Sequence, residues 1–188
     1  MDCRTLITFL NKVEPMKYNT RHSWTSVGRQ ESVAEHSWRL ALMAYLVKDE
    51  FPKADINKII LMCLCHDLGE AVTGDIPAFS KTDSHRSTEK EAVDGLLCSL
   101  PQPYLGELTA LFDEMEEQKT LEARIYKALD AMECLVQHNE ADISTWLPLE
   151  YQLNLTYGNE RAEFSPYLKE LRQMIRQDSL DKEKREKQ

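Results

Sequence analysis

The chain is 188 residues long and carries 32 acidic against 23 basic residues, a formal net charge of −9. That length suits one domain, which buries roughly 70% of its unfolded surface and so needs neither disulfides nor a structural metal for a core. The acidic balance speaks against a nucleic-acid polymer as partner, although a divalent cation can reverse the field locally for a small phosphate ester.

Six glycines and little β-branched alternation leave apolar residues recurring at three- and four-residue steps, so helix is expected throughout and no strands. A first helix spans about 4–14, with Leu6, Ile7, Phe9 and Leu10 on its apolar side. A polar loop, 15–30, then holds Arg21, His22, Trp24 and Arg29; ordered loops of that length are often functional. The second helix, about 32–50, opens on Ser32 as N-cap with Glu35 three residues on. Asp55 caps a third at about 56–68, stopped by Gly69, and an irregular stretch follows to residue 80. Further helices are expected at about 83–100, 103–118, 119–141, 145–157 and 162–177. The sum is an all-α fold of seven or eight helices in a single domain over 1–177. Residues 178–188 read as a charged, disordered tail.

Five cysteines (Cys3, Cys63, Cys65, Cys98 and Cys134) form an odd set without framework spacing, and most lie in apolar helical patterns as core thiols. No stretch approaches the ~20 apolar residues of a membrane span and no signal-peptide pattern opens the chain. A cytoplasmic location without a membrane partner is expected.

Chemistry is expected where polar residues sit on apolar faces. His36 shares a stripe with Val33, Leu40 and Met43; alone it would read as a satisfied core histidine. His66-Asp67 ends the apolar run from Ile59 to Cys65, where an imidazole and a carboxylate cost several kcal/mol unless paired or metal-bound. Asp130 interrupts the stripe of Ile125, Leu129, Met132 and Val136. Its bland alternative is a salt bridge to Lys127 or Arg124, both placed on the solvated side. Two nitrogens and two oxygens from three helices suit one divalent ion (Mn, Co, Ni, Fe or Zn) and leave positions open for water. Glu70 lies four residues after His66 and three after Asp67, in place to hold or deprotonate that water.

The H…HD…D frame of His36, His66-Asp67 and Asp130 resembles the metal signature of the HD-domain superfamily, an all-α family of metal-dependent phosphohydrolases. The words ESVAEHS (31–37), HDLGEAVTGDIP (66–77) and ALDAME (128–133) resemble those of its 5'-deoxynucleotidase group. The resemblance implies removal of the 5'-phosphate from deoxyribonucleoside 5'-monophosphates by a homodimer. It assigns His36, His66, Asp67 and Asp130 as metal ligands, with Asp67 and Glu70 as catalytic carboxylates. It also places Asp75 near the sugar, Arg21 and Lys81 on the phosphate, and Trp24 against the base. Alternatives are an HD hydrolase of another small phosphorylated metabolite or nucleotide, or a non-catalytic metal-binding helical regulatory module. His22, His85 and His138 read as surface residues.

Overall fold

The computed structural model describes residues 1–186. Among them are eight helices of nine residues or more, two single-turn helices and one two-stranded sheet. The long helices are α1 (Cys3–Val13), α2 (Val33–Leu46), α3 (Ile56–Cys65), α5 (Asp83–Leu97), α6 (Tyr104–Glu117), α7 (Leu121–Glu140), α8 (Pro148–Thr156) and α10 (Pro166–Glu186). The short ones are α4 (Glu70–Thr73) and α9 (Asn159–Ala162).

The expected caps are in place. Ser32 Oγ accepts from Glu35 N at 3.3 Å while Glu35 Oε2 accepts from Ser32 N at 2.8 Å, closing the capping box of α2. Asp55 accepts from Asn57 N and Lys58 N and starts α3.

The core is organised around α7, which is apolar on nearly every side: Ala123, Ile125, Ala128, Leu129, Ala131, Met132 and Leu135 are buried. A helix hydrophobic all round must be covered all round. Leu40 and Ala44 of α2 and Ile59 and Met62 of α3 join it in one core cluster, as do Ala162, Leu168 and Ile175 of α9 and α10. Each such side chain contributes roughly 1.5–3 kcal/mol through burial. This packing clamps α7, and with it the orientation of its buried polar groups Glu133 and Gln137.

Gly69 lets the α3–α4 turn meet α5. A Cβ there would lie 2.9 Å from the backbone oxygen and the Cγ of Glu89. Only a residue without a side chain permits that approach.

The structure corrects the sequence reading in three places. Residues 15–30 are not loop throughout: β1 (Thr20–Trp24) pairs antiparallel with β2 (Gln30–Ser32). The partners Thr20↔Ser32 and Trp24↔Gln30 set four steps of one strand against two of the other, an irregularity that bends β1. So short and polar a ribbon has no alternation to reveal it; it is held from outside, where Gln137 Nε2 of α7 donates to Trp24 O at 2.6 Å. Second, α10 runs on to Glu186, so 178–186 is helical rather than a disordered tail. Ser179 is buried and its Oγ donates to Asn139 Oδ1 at 2.8 Å, while Lys, Arg, Glu and Gln are good helix formers. Residues 187–188 of the expected tail lie outside the described residues. Third, the stretch 69–80 contains α4 and a 3-10 turn, Ala78–Ser80. Among the thiols only Cys63 is buried; Cys3 and Cys98 are exposed. No described helix is long and apolar enough to cross a membrane.

Candidate functional site

Three helices bring four side chains to one point. His36, one turn into α2, is fully buried. His66 terminates α3, and its Nδ1 lies 2.9 Å from Cys63 O, so Nδ1–H donates and Nε2 is left with its lone pair outward. Asp67 follows in the turn, and Asp130 projects from α7. His36 Nε2 and His66 Nε2 are 3.3 Å apart. His66 Nε2 is 3.0 Å from Asp67 Oδ2 and 3.7 Å from Asp130 Oδ1, which is 3.3 Å from His36 Nε2. Ligands about 2.1 Å from a shared ion sit roughly 3.0–3.5 Å apart between right-angle and tetrahedral geometry; three of these separations fall in that range, and the 3.7 Å from His66 to Asp130 lies just beyond it.

The surroundings fit the same use. The second nitrogen of each imidazole is engaged: Nδ1 of His66 by Cys63 O and Nδ1 of His36 by the Glu133 carboxylate. Engaging one nitrogen in this way fixes the tautomer that presents the other to a metal. Glu133 is 1% exposed and also receives Arg39 Nε. Burial and Arg21 push the His36 pKa down, yet hydrogen bonds to Asp130 and Glu133 outweigh them and lift it to about 9. A divalent cation would compete with that proton. Asp67 and Asp130 are held below the carboxylate range against the cost of burial, Asp67 chiefly by His66 and Asp130 chiefly by Lys127.

Glu70 opens α4 beside this cluster, 2% exposed. Burial, then the Asp67 and Asp75 charges, push its carboxyl up to about 9, with Lys81 and Arg21 opposing. A buried acid with so high a proton affinity beside a cluster of metal-ligating groups is a candidate for proton transfer. Lys81 Nζ lies 3.3 Å from Glu70 Oε1 and 2.8 Å from Glu89 Oε2.

A cleft of about 340 Å³ adjoins the cluster, the scale of a small-molecule site. Arg21, Asp67, Glu70, Asp75, Lys81 and Asp130 all line it. Arg21 extends from β1 between Glu31 Oε2 and Asp67 Oδ2, each at 3.4 Å. Asp75 Oδ2 accepts from His22 N at 3.4 Å, and burial raises its pKa. Trp24 is not among the lining residues; its ring packs edge-on against His22, with centroids 4.9 Å apart.

Several site residues escaped the sequence reading. Lys127 is turned inward: its Nζ is 2.9 Å from Asp130 Oδ2 and it lines the cleft. The salt bridge considered as an alternative for Asp130 is thus present, on the oxygen other than the one facing the histidines. Arg124 instead stacks over Phe164. His22 and His138 are not surface residues, with side chains 23% and 11% exposed beside the buried Glu150. His85 is exposed, as read. Glu133 and Glu31 stood in the ALDAME and ESVAEHS words. A second acid three residues from Asp130 on a helix with so little polar surface was the available signal. Burial and Glu133 push Glu31 up to about 7, Arg21 opposing.

The HD domain family model matches residues 13–172. Human 5'-deoxynucleotidase HDDC2 is 36% identical over 142 residues, 73% of this chain and 68% of the relative. A Saccharomyces cerevisiae 5'-deoxynucleotidase, YBR242W, is 32% identical over 142 residues, 70% of this chain and 58% of the relative. Among solved structures, a Magnetospirillum magnetotacticum protein described as a predicted metal-dependent phosphohydrolase superposes with a TM-score of 0.84 at 26% identity, covering 95% of this chain and 93% of that one. The family and this neighbour imply a divalent metal, which the group of His36, His66 and Asp67, with ligand atoms within 4.8 Å of one another, suits. The chain belongs to the HD-domain family.

Proposed function

We propose that this protein is a metal-dependent hydrolase that removes the 5'-phosphate from deoxyribonucleoside 5'-monophosphates. The observation that carries the proposal is the pairing of His66 Nε2 with His36 Nε2 at 3.3 Å and Asp67 Oδ2 at 3.0 Å, with Asp130 Oδ1 3.3 Å from His36 Nε2, at the edge of a cleft that also holds Glu70 and Arg21. The kinship with 5'-deoxynucleotidases supports the substrate class.

The four residues would hold one divalent ion of the Mn, Co, Ni, Fe or Zn type. When bound, the ion supplies Lewis-acid charge and lowers the pKa of a coordinated water. Glu70, buried beside the cluster, would orient the attacking water and take its proton once the charge of a bound ion favours its carboxylate form. Asp67 belongs both to the ligand set and to the catalytic pair, holding Arg21 as it does so. Arg21, Lys81 and Lys127 line the cleft and neutralise charge on the phosphoryl oxygens. Asp75 stands beside them for a sugar hydroxyl. Trp24 acts on the base only through His22, against which it packs.

A homodimer in the cytoplasm completes the proposal. Trp38, Leu42, Tyr45 and Leu46 form an exposed apolar face on α2 that a second copy would cover. Phosphate release from deoxy- and ribonucleotides with each metal tests the activity. Glu70→Ala should keep the fold and metal content and lose turnover; full turnover in that variant would refute the assignment.

A further inference from the structure

The helix α7 measures the cleft. Asp130, Cys134 and His138 succeed one another at four-residue steps and all line it. Eight residues of α-helix rise roughly 12 Å, comparable to the reach from a 5'-phosphate to the far edge of its base. With Asp130 at the phosphate end, the His138 end is where a base would arrive.

That end contains three buried polar atoms without hydrogen-bond partners, two of them on α8. Glu150 and Asn154 lie one turn apart on α8, 2% and 1% exposed, and both line the cleft. Glu150 Oε2 caps α8 by accepting from Leu147 N at 2.7 Å, while Oε1 makes no hydrogen bond. His22 Nε2 lies 3.3 Å from Oε1 yet is itself without one. Asn154 Oδ1 is taken by His138 Nδ1 at 3.1 Å, leaving Nδ2 unpartnered. A buried acceptor and a buried donor left unmade each carry a desolvation cost that a ligand can relieve.

We infer that Glu150 and Asn154 read the far edge of the nucleobase and favour bases with an exocyclic amino group beside an unprotonated ring nitrogen, namely cytosine and adenine. This inference rests on the reading of the chain as a nucleoside monophosphate hydrolase. Glu150 Oε1 accepts from the amino group and Asn154 Nδ2 donates to the ring nitrogen. Thymine, uracil and hypoxanthine on the same deoxyribose present an oxo group beside an N–H, the reverse order. Phe79, whose ring lies edge-on to His22 with centroids 6.1 Å apart, supplies an apolar wall.

The test compares dCMP with dUMP, which differ only in that amino-for-oxo exchange, with deoxyribose 5-phosphate as a baseless substrate. The wild type should favour dCMP over dUMP by about 10–100-fold in kcat/KM, the scale of one mismatched buried hydrogen bond. Glu150→Gln, which retains an oxygen for Leu147 N, should bring that ratio close to unity. Calorimetric binding of the two nucleotides should change in parallel. Equal use of dCMP and dUMP by the wild type, with deoxyribose 5-phosphate still hydrolysed, would overturn the inference and leave the hydrolase reading standing. A preference undiminished in Glu150→Gln would remove Glu150 from the role. Phosphate release from none of the three would defeat both.

Discussion

Replacing Gly69 by alanine sets two effects of similar size against each other. The residue has φ −58° and ψ −31°, so alanine fits the backbone and would gain up to about 1 kcal/mol of helix propensity. Against this, its Cβ would fall 2.9 Å from Glu89 O and Cγ and 3.1 Å from Val93 Cγ2. The oxygen is main chain, so relief requires α5 to move as a body by roughly half an ångström. Overpacking of this kind costs about 1–3 kcal/mol, and we expect it to win by about 1–2 kcal/mol. For a chain of this size that lowers Tm by roughly 2–8 °C. Gly95, inside α5, is the matched control because a Cβ there meets nothing within 4 Å. Gly95→Ala should raise stability by about 0.5–1 kcal/mol. Thermal denaturation followed by circular dichroism reads both. Because Gly69 separates Asp67 from Glu70, phosphate release should fall as well, by up to about 100-fold for an ångström of misplacement. A Tm for Gly69→Ala equal to or above that of the parent would refute the close-approach argument.

Three other perturbations probe separate parts of the molecule. Glu133→Gln removes the charge behind His36 while keeping its shape, and metal affinity, read by competition with a chelator, should weaken by about 10–100-fold; unchanged affinity would count against the arrangement. In chelated protein, His36 holds its proton to about pH 9 against an ordinary 6.5, so its stabilising contribution is complete below pH 6.5 and fades as pH rises through 9. Metal binding should accordingly tighten with rising pH in that window and release a proton to buffer; no proton release in calorimetry would contradict it. Leu129→Ala, at a fully buried position of α7, should cost about 2–5 kcal/mol in urea denaturation, and a loss under 1 kcal/mol would place Leu129 outside the packed core.

The sequence was most legible where polarity broke a pattern. His36 and Asp130 interrupt apolar stripes, and His66-Asp67 closes an apolar run, so the need for compensation was visible before any fold was known. The α-helical class followed from three- and four-residue spacing, and the caps at Ser32 and Asp55 from local chemistry. What could not be read depends on partners far along the chain. Lys127 turns inward because Asp130 and the cleft await it, and His138 is enclosed because α8 brings Glu150 and Asn154 over it. The hairpin is held through Gln137, more than a hundred positions away from Trp24. Helix α10 continues past residue 177 because Ser179 finds Asn139.

The irregular pairing of β1 places neighbours that a regular strand would send to opposite faces, Arg21 and His22, along the same cleft. One residue faces the ion-side carboxylates and the next faces Glu150, so the two grips share a peptide bond. Tightening the ribbon around one end of a bound molecule therefore positions the other at no added entropic cost. Inorganic phosphate alone, or a nucleoside alone, must bear the whole ordering of the ribbon, and should bind more weakly than its share of the intact nucleotide's contacts suggests.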